Sequence, residues 1–428
     1  MEAIAQGGGS DEDRRALHRH KASSCRRLPP PYASGMNADI SYFARTLFRN
    51  QAQVFGIKQA DRLSHMYIIG KTGTGKSTML ETIAARDLEA GRGFAFIDPH
   101  GDVVERLFRH LPDHRRSEVI YLDVPDPSQP YGYNPLRHVR ADKVALAASG
   151  LLETFKKLWD DAWGVRMEHI FRNALLALLE REGSILPDIL RMLTDPSFRK
   201  ASARDLKNDQ VRTFWLSEFE RYSPRFRADA IAPIQNKVGA FLADPTLHRI
   251  LTAPKDDLRF RRIMDEGCAI LVNLAKGRIG EDSSTLLGAL LVTTIGLAAF
   301  TRADEPQERR RPFFLYIDEF QSFTTLSVAT MASELRKYGV GLILANQHLH
   351  QLEPDIRSAV LGNAGTLISF RVGSEDAAFL AREFQPKFET IDLLNLPNHH
   401  IYLKLMIDGA PSQPFSATSL RTDQMTRS

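Results

Sequence analysis

Eight consecutive residues restrict this chain more than any other stretch. Gly70-Lys71-Thr72-Gly73-Thr74-Gly75-Lys76-Ser77 follows a short apolar run and opens a helical pattern that starts at Thr78. A glycine-rich loop between a strand and a helix curls so that successive backbone N–H groups converge. The helix N-terminus adds partial positive charge at the same point. The spacing G-x-x-x-x-G-K-[ST] therefore fits the phosphates of a nucleotide. Within it Lys76 is placed to reach the β and γ oxygens, and the Ser77 hydroxyl to hold Mg²⁺. Residues 70–78 form the candidate nucleotide site, with ATP and Mg²⁺ as the expected ligands.

Around that loop, short strand-like runs alternate with helical stretches. The spacing predicts strands at 66–69, 93–97, 119–122, 269–274, 313–317, 341–345, 366–370 and 401–405. Most are continuous apolar runs rather than alternating ones, as expected of strands buried on both faces of a largely parallel sheet. A doubly wound α/β core follows. No strand pattern occurs between Tyr131 and about Asp257, where 144–158, 168–182 and 227–242 carry helical spacing. An all-α insertion is therefore expected to split the core. The expected division is a disordered tail (1–40), the first part of the core (41–135), the insertion (136–258) and the second part of the core (259–428). The tail carries Gly7-Gly8-Gly9-Ser10 and Pro29-Pro30-Pro31 with no apolar period, and Met36 is an alternative start.

Composition mainly excludes. Lys and Arg number 56 against 52 Asp and Glu, a formal +4 that is too small to mark a nucleic-acid binder. Two cysteines, Cys25 and Cys268, exclude a disulfide framework and any cysteine-based zinc module, and fit a reducing cytosol. The longest apolar run, 286–300, is shorter than the roughly 20 residues of a membrane span and contains Thr293 and Thr294, so a buried helix is expected there. The N-terminus lacks a charged segment followed by an apolar one, so no signal peptide is expected.

The second half of a hydrolytic site is also legible. The run 313–317 ends in Asp318-Glu319. At the C-terminal edge of a parallel sheet, where ligands sit, Asp318 can bind Mg²⁺ through water and Glu319 can orient or deprotonate the attacking water. The run 341–345 ends in Asn346-Gln347, which places the Gln347 amide near the γ-phosphate. Arg336 ends the helix before that run. A strand of about 17–20 Å separates it from Gln347, so any charge it stabilises lies in a neighbouring subunit. Asp98-Pro99-His100-Gly101-Asp102 reads as a shaped turn beside the nucleotide edge. His348 with His350, and His399 with His400, show no third ligand and read as solvated or packed histidines. Lys156-Lys157-Leu158-Trp159 and Phe214-Trp215, with Arg221, Arg225 and Arg227, read as core plus solvated charge, so no DNA-contacting residue is assigned.

Together these segments resemble the HerA/FtsK superfamily of P-loop DNA-pumping ATPases, and within it the TraG/TraD-type conjugative coupling proteins and their soluble relatives. Phe96-Ile97-Asp98-Pro99-His100-Gly101-Asp102 is similar to the superfamily's second-strand motif, and Tyr316-Ile317-Asp318-Glu319-Phe320-Gln321 to its carboxylate strand. Glu334-Leu335-Arg336-Lys337-Tyr338-Gly339 and Leu342-Ile343-Leu344-Ala345-Asn346-Gln347 resemble its arginine-finger helix and sensor-glutamine strand. Asn363-Ala364-Gly365-Thr366, Phe370-Arg371-Val372-Gly373 and Asp376-Ala377 resemble the segment beyond it in coupling proteins. The resemblance covers about 65–428.

It implies a RecA-like P-loop NTPase core with a mostly parallel sheet, split by an all-α domain. It further implies a ring, usually hexameric, that threads DNA using ATP hydrolysed between subunits. Lys76, Ser77, Asp318, Glu319, Gln347 and Arg336 take the roles given above, with Arg371 a second arginine candidate. Membrane-anchored coupling proteins begin with transmembrane helices that this sequence does not show, which favours a cytoplasmic motor or one recruited to the inner membrane by a partner. The function expected is an ATP-hydrolysing, non-sequence-specific DNA translocase in conjugative transfer (type IV secretion) or related DNA processing, with a relaxase or secretion components as possible partners. The same motor residues would serve a secretion-apparatus assembly ATPase acting on protein, or a nucleotide-dependent substrate-docking module.

Overall fold

The computed structural model describes residues 37, 39–47, 52–137, 139–159, 163–252 and 255–421. Most of the expected tail, with Cys25 and Met36, lies outside the described residues. Its last residue does not belong to a tail, because Ile40 opens a strand.

Eleven strands form one sheet. In chain order they are β1 (Ile40–Thr46), β2 (Val54–Lys58), β3 (Met66–Ile69), β4 (Gly93–Asp98), β5 (Val119–Asp123), β6 (Ala269–Asn273), β7 (Phe313–Ile317), β8 (Val340–Asn346), β9 (Thr366–Ser369), β10 (His400–Lys404) and β11 (Phe415–Ser419). Their spatial order is β2-β1-β11-β10-β9-β3-β8-β7-β4-β6-β5. From β9 to β5 every pairing is parallel, and from β9 to β2 every pairing is antiparallel. β3, β4, β6, β7 and β8 are buried along their whole length, which explains their unbroken apolar sequences. β1, β2 and β11 carry no such run. In β1 Ser41 is buried beside Phe43 and Ala44, its hydroxyl accepting from Arg62 and Arg92, and this polar residue disguises the strand.

Side chains leave the sheet alternately. Met66, Ile68, Phe94, Phe96, Phe314 and Ile343 face a core shared with α1 (Lys76–Glu89) and α2 (Asp102–Arg109). Tyr67, Ile69, Ala95, Ile97, Leu315 and Leu344 face the other core. That second core runs without interruption into the helices between β5 and β6, among them α3 (Val144–Leu158), α4 (Val165–Glu180) and α5 (Pro224–Ala243). The short parallel ladder of Tyr131–Gly132 with Asp256–Asp257 joins the two ends of this helical stretch. Trp159 and Trp215 are buried in its interior, so neither indole presents a stacking face.

The apolar run at 286–300 belongs to α6 (Glu281–Phe300), which is longer than the sequence suggests and is apolar enough to span a membrane by length and composition alone. Most of it is buried here, packed on α3 and on α7 (Leu326–Leu335).

A buried ion pair fastens the first core. Arg62 and Asp87 have no exposed side-chain surface, and the guanidinium grips the carboxylate at 2.8 and 2.9 Å. The Tyr316 hydroxyl accepts from Arg62 at 2.6 Å and donates to Asp87 at 2.5 Å, and the guanidinium lies 3.7 Å over the Phe314 ring. Burial alone would raise the Asp87 carboxyl, but Arg62 and Arg92 hold it below the usual carboxylate range. The cluster joins α1, β7 and the segment before β3. Removing one partner strands a buried charge, so Asp87→Ala will cost about 3–5 kcal/mol in denaturant unfolding. A loss under about 1 kcal/mol would show that the pair does not hold these elements together.

Candidate nucleotide site

β3 ends at Ile69, the loop 70–75 turns, and α1 begins at Lys76. Gly75 takes φ +120°, which an L side chain rarely adopts, and a Cβ there would lie 2.7 Å from His399 Nδ1. The loop is held from behind by backbone bonds. Lys71 N–H donates to the Arg371 carbonyl at 2.8 Å, His399 N–H to the Thr74 carbonyl at 2.8 Å, and Gly70 N–H to the Asn346 carbonyl at 3.3 Å. Lys76 Nζ donates to the carbonyls of Gly70 (2.5 Å) and Lys71 (3.2 Å). Burial lowers its pKa, against the attraction of Asp318 and Glu319.

The parallel register brings the other strand ends level with the loop. Ile69 pairs with Asn346 and Ser369, and Ile317 pairs with Ile97 and Leu344. Asp318 thereby meets Ser77, whose hydroxyl donates to its Oδ2 at 2.9 Å. Burial, and next the Asp98 charge, push the Asp318 carboxyl up to about 6, although the Ser77 bond and Lys76 act in the opposite sense. Asp98 itself caps α2, accepting from the backbone N–H of His100, Val103 and Val104 at 2.9, 2.9 and 3.3 Å. Gly101 completes that turn at φ +88°, with Asn273 Oδ1 only 2.2 Å from where a Cβ would stand. His100 is exposed and caps nothing.

From Glu319 a hydrogen-bonded run crosses back to the loop. The Gln347 amide donates to Glu319 Oε1 at 2.5 Å and accepts from the Thr72 hydroxyl at 2.9 Å. Gln321 donates to Glu319 Oε2 and accepts from Asn346 Nδ2. Glu319 has φ +49°, an uncommon conformation for a side chain of this size. Thr72, Lys76, Ser77, Asp318, Glu319 and Gln347 therefore converge at one rim.

Arg336 is not among them. It is exposed at the start of the turn Arg336–Tyr338, and β8 then runs seven residues, about 20 Å, before reaching the rim. Arg371 lies on the rim side, its guanidinium bound to the Leu396 carbonyl and to Asn398 Oδ1. His348 and His350 do acquire a third donor that the sequence did not reveal. Asp376 comes close enough that one ligand atom from each residue lies within 4.8 Å of the others. Its carboxylate accepts from Leu349 N–H at 3.0 Å and lies 3.2 Å from His348 Nδ1, fastening the loop after Gln347. Sequence reasoning also missed the support that His399 gives the cradle and the bracket that Gln321 forms. The signals for Gln321 were its place two residues after Glu319 and its position in the segment that resembles the carboxylate strand.

Residues 278–387 match the type IV secretion-system coupling protein DNA-binding domain. No curated protein matches the sequence. Among solved structures, the plasmid coupling protein TrwB in complex with ADP and Mg²⁺ has TM-score 0.60 and 18% identity over 92% of this chain and 97% of that one. TrwB with a non-hydrolysable ATP analogue gives 0.60 and 17%, over 92% and 96%. VirB4 of Thermoanaerobacter pseudethanolicus gives 0.60 and 15%, over 92% and 100%. The fold is that of the TrwB-type P-loop ATPases. It agrees with the α/β core read from the strand runs and with the RecA-like P-loop core that the resemblance implied.

Proposed function

We propose that this chain is an ATP-hydrolysing motor of the coupling-protein type that moves DNA, in type IV secretion or related DNA processing. The observation that carries the reading is the convergence of Lys76, Ser77, Asp318, Glu319 and Gln347 at one strand-end rim. Ser77 Oγ and Asp318 already touch where a shared ion would bind, and the loop's backbone is shaped for phosphates, so the residues fit Mg²⁺ and ATP. Mg²⁺ would supply charge neutralisation. Lys76 then binds the terminal phosphates, Glu319 takes the proton of the attacking water, and Gln347 orients Glu319.

In this reading 40–135 and 259–428 form the motor core and 136–258 the helical insertion. Subunits assemble as a hexameric ring in which Arg336 serves the neighbour's nucleotide. DNA is the cargo because the coupling-protein DNA-binding profile falls on 278–387. The test is the ATPase rate with and without single- and double-stranded DNA, at two protein concentrations. Stimulation by DNA and a rate per subunit that rises with concentration are expected. A motor working on protein would use the same rim. An ATPase indifferent to DNA would select that second reading.

The raised Asp318 pKa sets a pH dependence. The carboxylate must be ionised to hold Mg²⁺, and its proton returns as pH falls through about 6. The Mg²⁺ concentration needed for half-maximal hydrolysis will therefore rise by about tenfold per pH unit below 6 in the wild type. Asp318→Asn will be poor at both pH 7.5 and pH 5.5. A wild-type Mg²⁺ requirement that is flat across this interval removes Asp318 from the metal site.

A further inference from the structure

Lys157 is the penultimate residue of α3, in the helical insertion, yet its ammonium ends in the turn that follows Glu319. Nζ donates to the Gln321 carbonyl (2.9 Å), the Thr324 carbonyl (2.5 Å) and the Thr324 hydroxyl (3.0 Å). A protonated lysine has three N–H donors, and all three are used on one turn. No carboxylate lies within ion-pair distance of it among the described residues, so the bonds are spent on backbone shape rather than on charge pairing. The same turn carries the Gln321 side chain, which brackets Glu319 on one side and Asn346 on the other. Glu319 itself sits at φ +49°, a conformation that persists only where its surroundings over-determine it. Gln347 and Gln321 hold its carboxylate, and Lys157 from the insertion holds the turn that carries Gln321.

We propose that Lys157 is a positioning residue through which the helical insertion sets the Glu319 turn, so that a displacement of the end of α3 is felt as a change in hydrolysis rate. The inference rests on the motor reading above and deepens it by naming the contact that regulates that site. Displacing the end of α3 withdraws three hydrogen bonds from the turn without touching the phosphate loop, so turnover changes while nucleotide affinity does not.

Protonation of Lys157 offers an independent handle. Burial lowers it to about 8, with Glu353 acting in the opposite sense. The charged group facing it is Glu353, the residue before the helix Pro354–Asn363. Below about pH 8 the ammonium fills all three acceptors; above it the neutral amine has two donors and one acceptor is lost. The anchor is thus present at lower pH and weakens as pH rises through 8.

The experiment measures kcat and KM for ATP of the full chain for wild type, Lys157→Met and Lys157→Arg between pH 6.5 and 9.5. Lys157→Met is expected to lower kcat by about 10-fold or more with KM within about twofold. Lys157→Arg, which keeps donors and charge, recovers at least part of kcat and lacks the fall in kcat that the wild type shows above pH 8. A native kcat in Lys157→Met overturns the inference. So does a Lys157→Met loss in which kcat and KM fail together and arginine rescues neither, since that marks a packing role only. Wild type without turnover at any pH would instead bring down the motor reading, and this inference with it.

Discussion

Lys76→Ala will fold and will hydrolyse ATP at least about 10²–10³-fold more slowly than the wild type, the cost of deleting a donor aimed at charge that grows in the transition state. Lys76 is the first residue of α1, so its side chain leaves the helix at the point where the loop's N–H groups converge. Its ammonium rests on the carbonyls of Gly70 and Lys71, and burial has stripped part of its hydration. A cation in that state exchanges two carbonyl contacts for phosphate oxygens at little cost in reorganisation. Alanine keeps the helix, since it is the best helix former, and removes only the charge. A thermal midpoint within a few degrees of the native value, measured beside kcat, separates lost chemistry from lost fold. Hydrolysis within tenfold of wild type would remove the phosphate loop from the mechanism.

The sequence made the parallel half of the sheet visible because those strands are buried on both faces and must be apolar throughout, as in the 313–317 and 341–345 runs. Of the antiparallel strands the 401–405 run marked β10, whereas β1, β2 and β11 were hidden by the same physics. Ser41 is buried as a hydrogen-bond acceptor, and the flanking residues of β1 are half-exposed, so no run marks the strand. The phosphate loop was legible because its chemistry is local backbone chemistry written in glycines. The placement of Asp318, Glu319 and Gln347 followed from strand ends alone. What could not be read are contacts set by tertiary packing: His399 behind Gly75, Asp376 beside His348, and Lys157 reaching the Glu319 turn from more than 150 positions earlier in the chain. Each is an ordinary polar residue whose role depends on which element it lands against.

The place of Arg336 leads to the second large effect. It is exposed at the N-terminal end of β8, and the strand's own length keeps it from the rim that Gln347 occupies. The turn that bears it is fixed rather than loose: Arg302 donates to the Tyr338 carbonyl at 2.9 Å, and Arg310 to the Lys337 carbonyl. A rigid turn that presents a cation away from its own nucleotide suits a contact across a subunit boundary. Arg336→Ala is expected to slow hydrolysis by about 10³–10⁵-fold, as loss of an arginine finger does. Glu319→Gln, which keeps the shape and removes the base, is expected to slow it by about 10²–10⁴-fold. Mixed together, the two inactive variants should recover activity. An interface whose pocket comes from an Arg336→Ala subunit and whose arginine comes from a Glu319→Gln subunit is native at both positions. In a closed ring with random mixing about one interface in four has that composition. If Arg336 acted within its own subunit, every site in every mixed ring would lack one group or the other. Mixed rings shown to form, with no recovered turnover at any ratio, would therefore refute action in trans, whereas recovery towards a quarter of the native rate cannot arise from either variant alone.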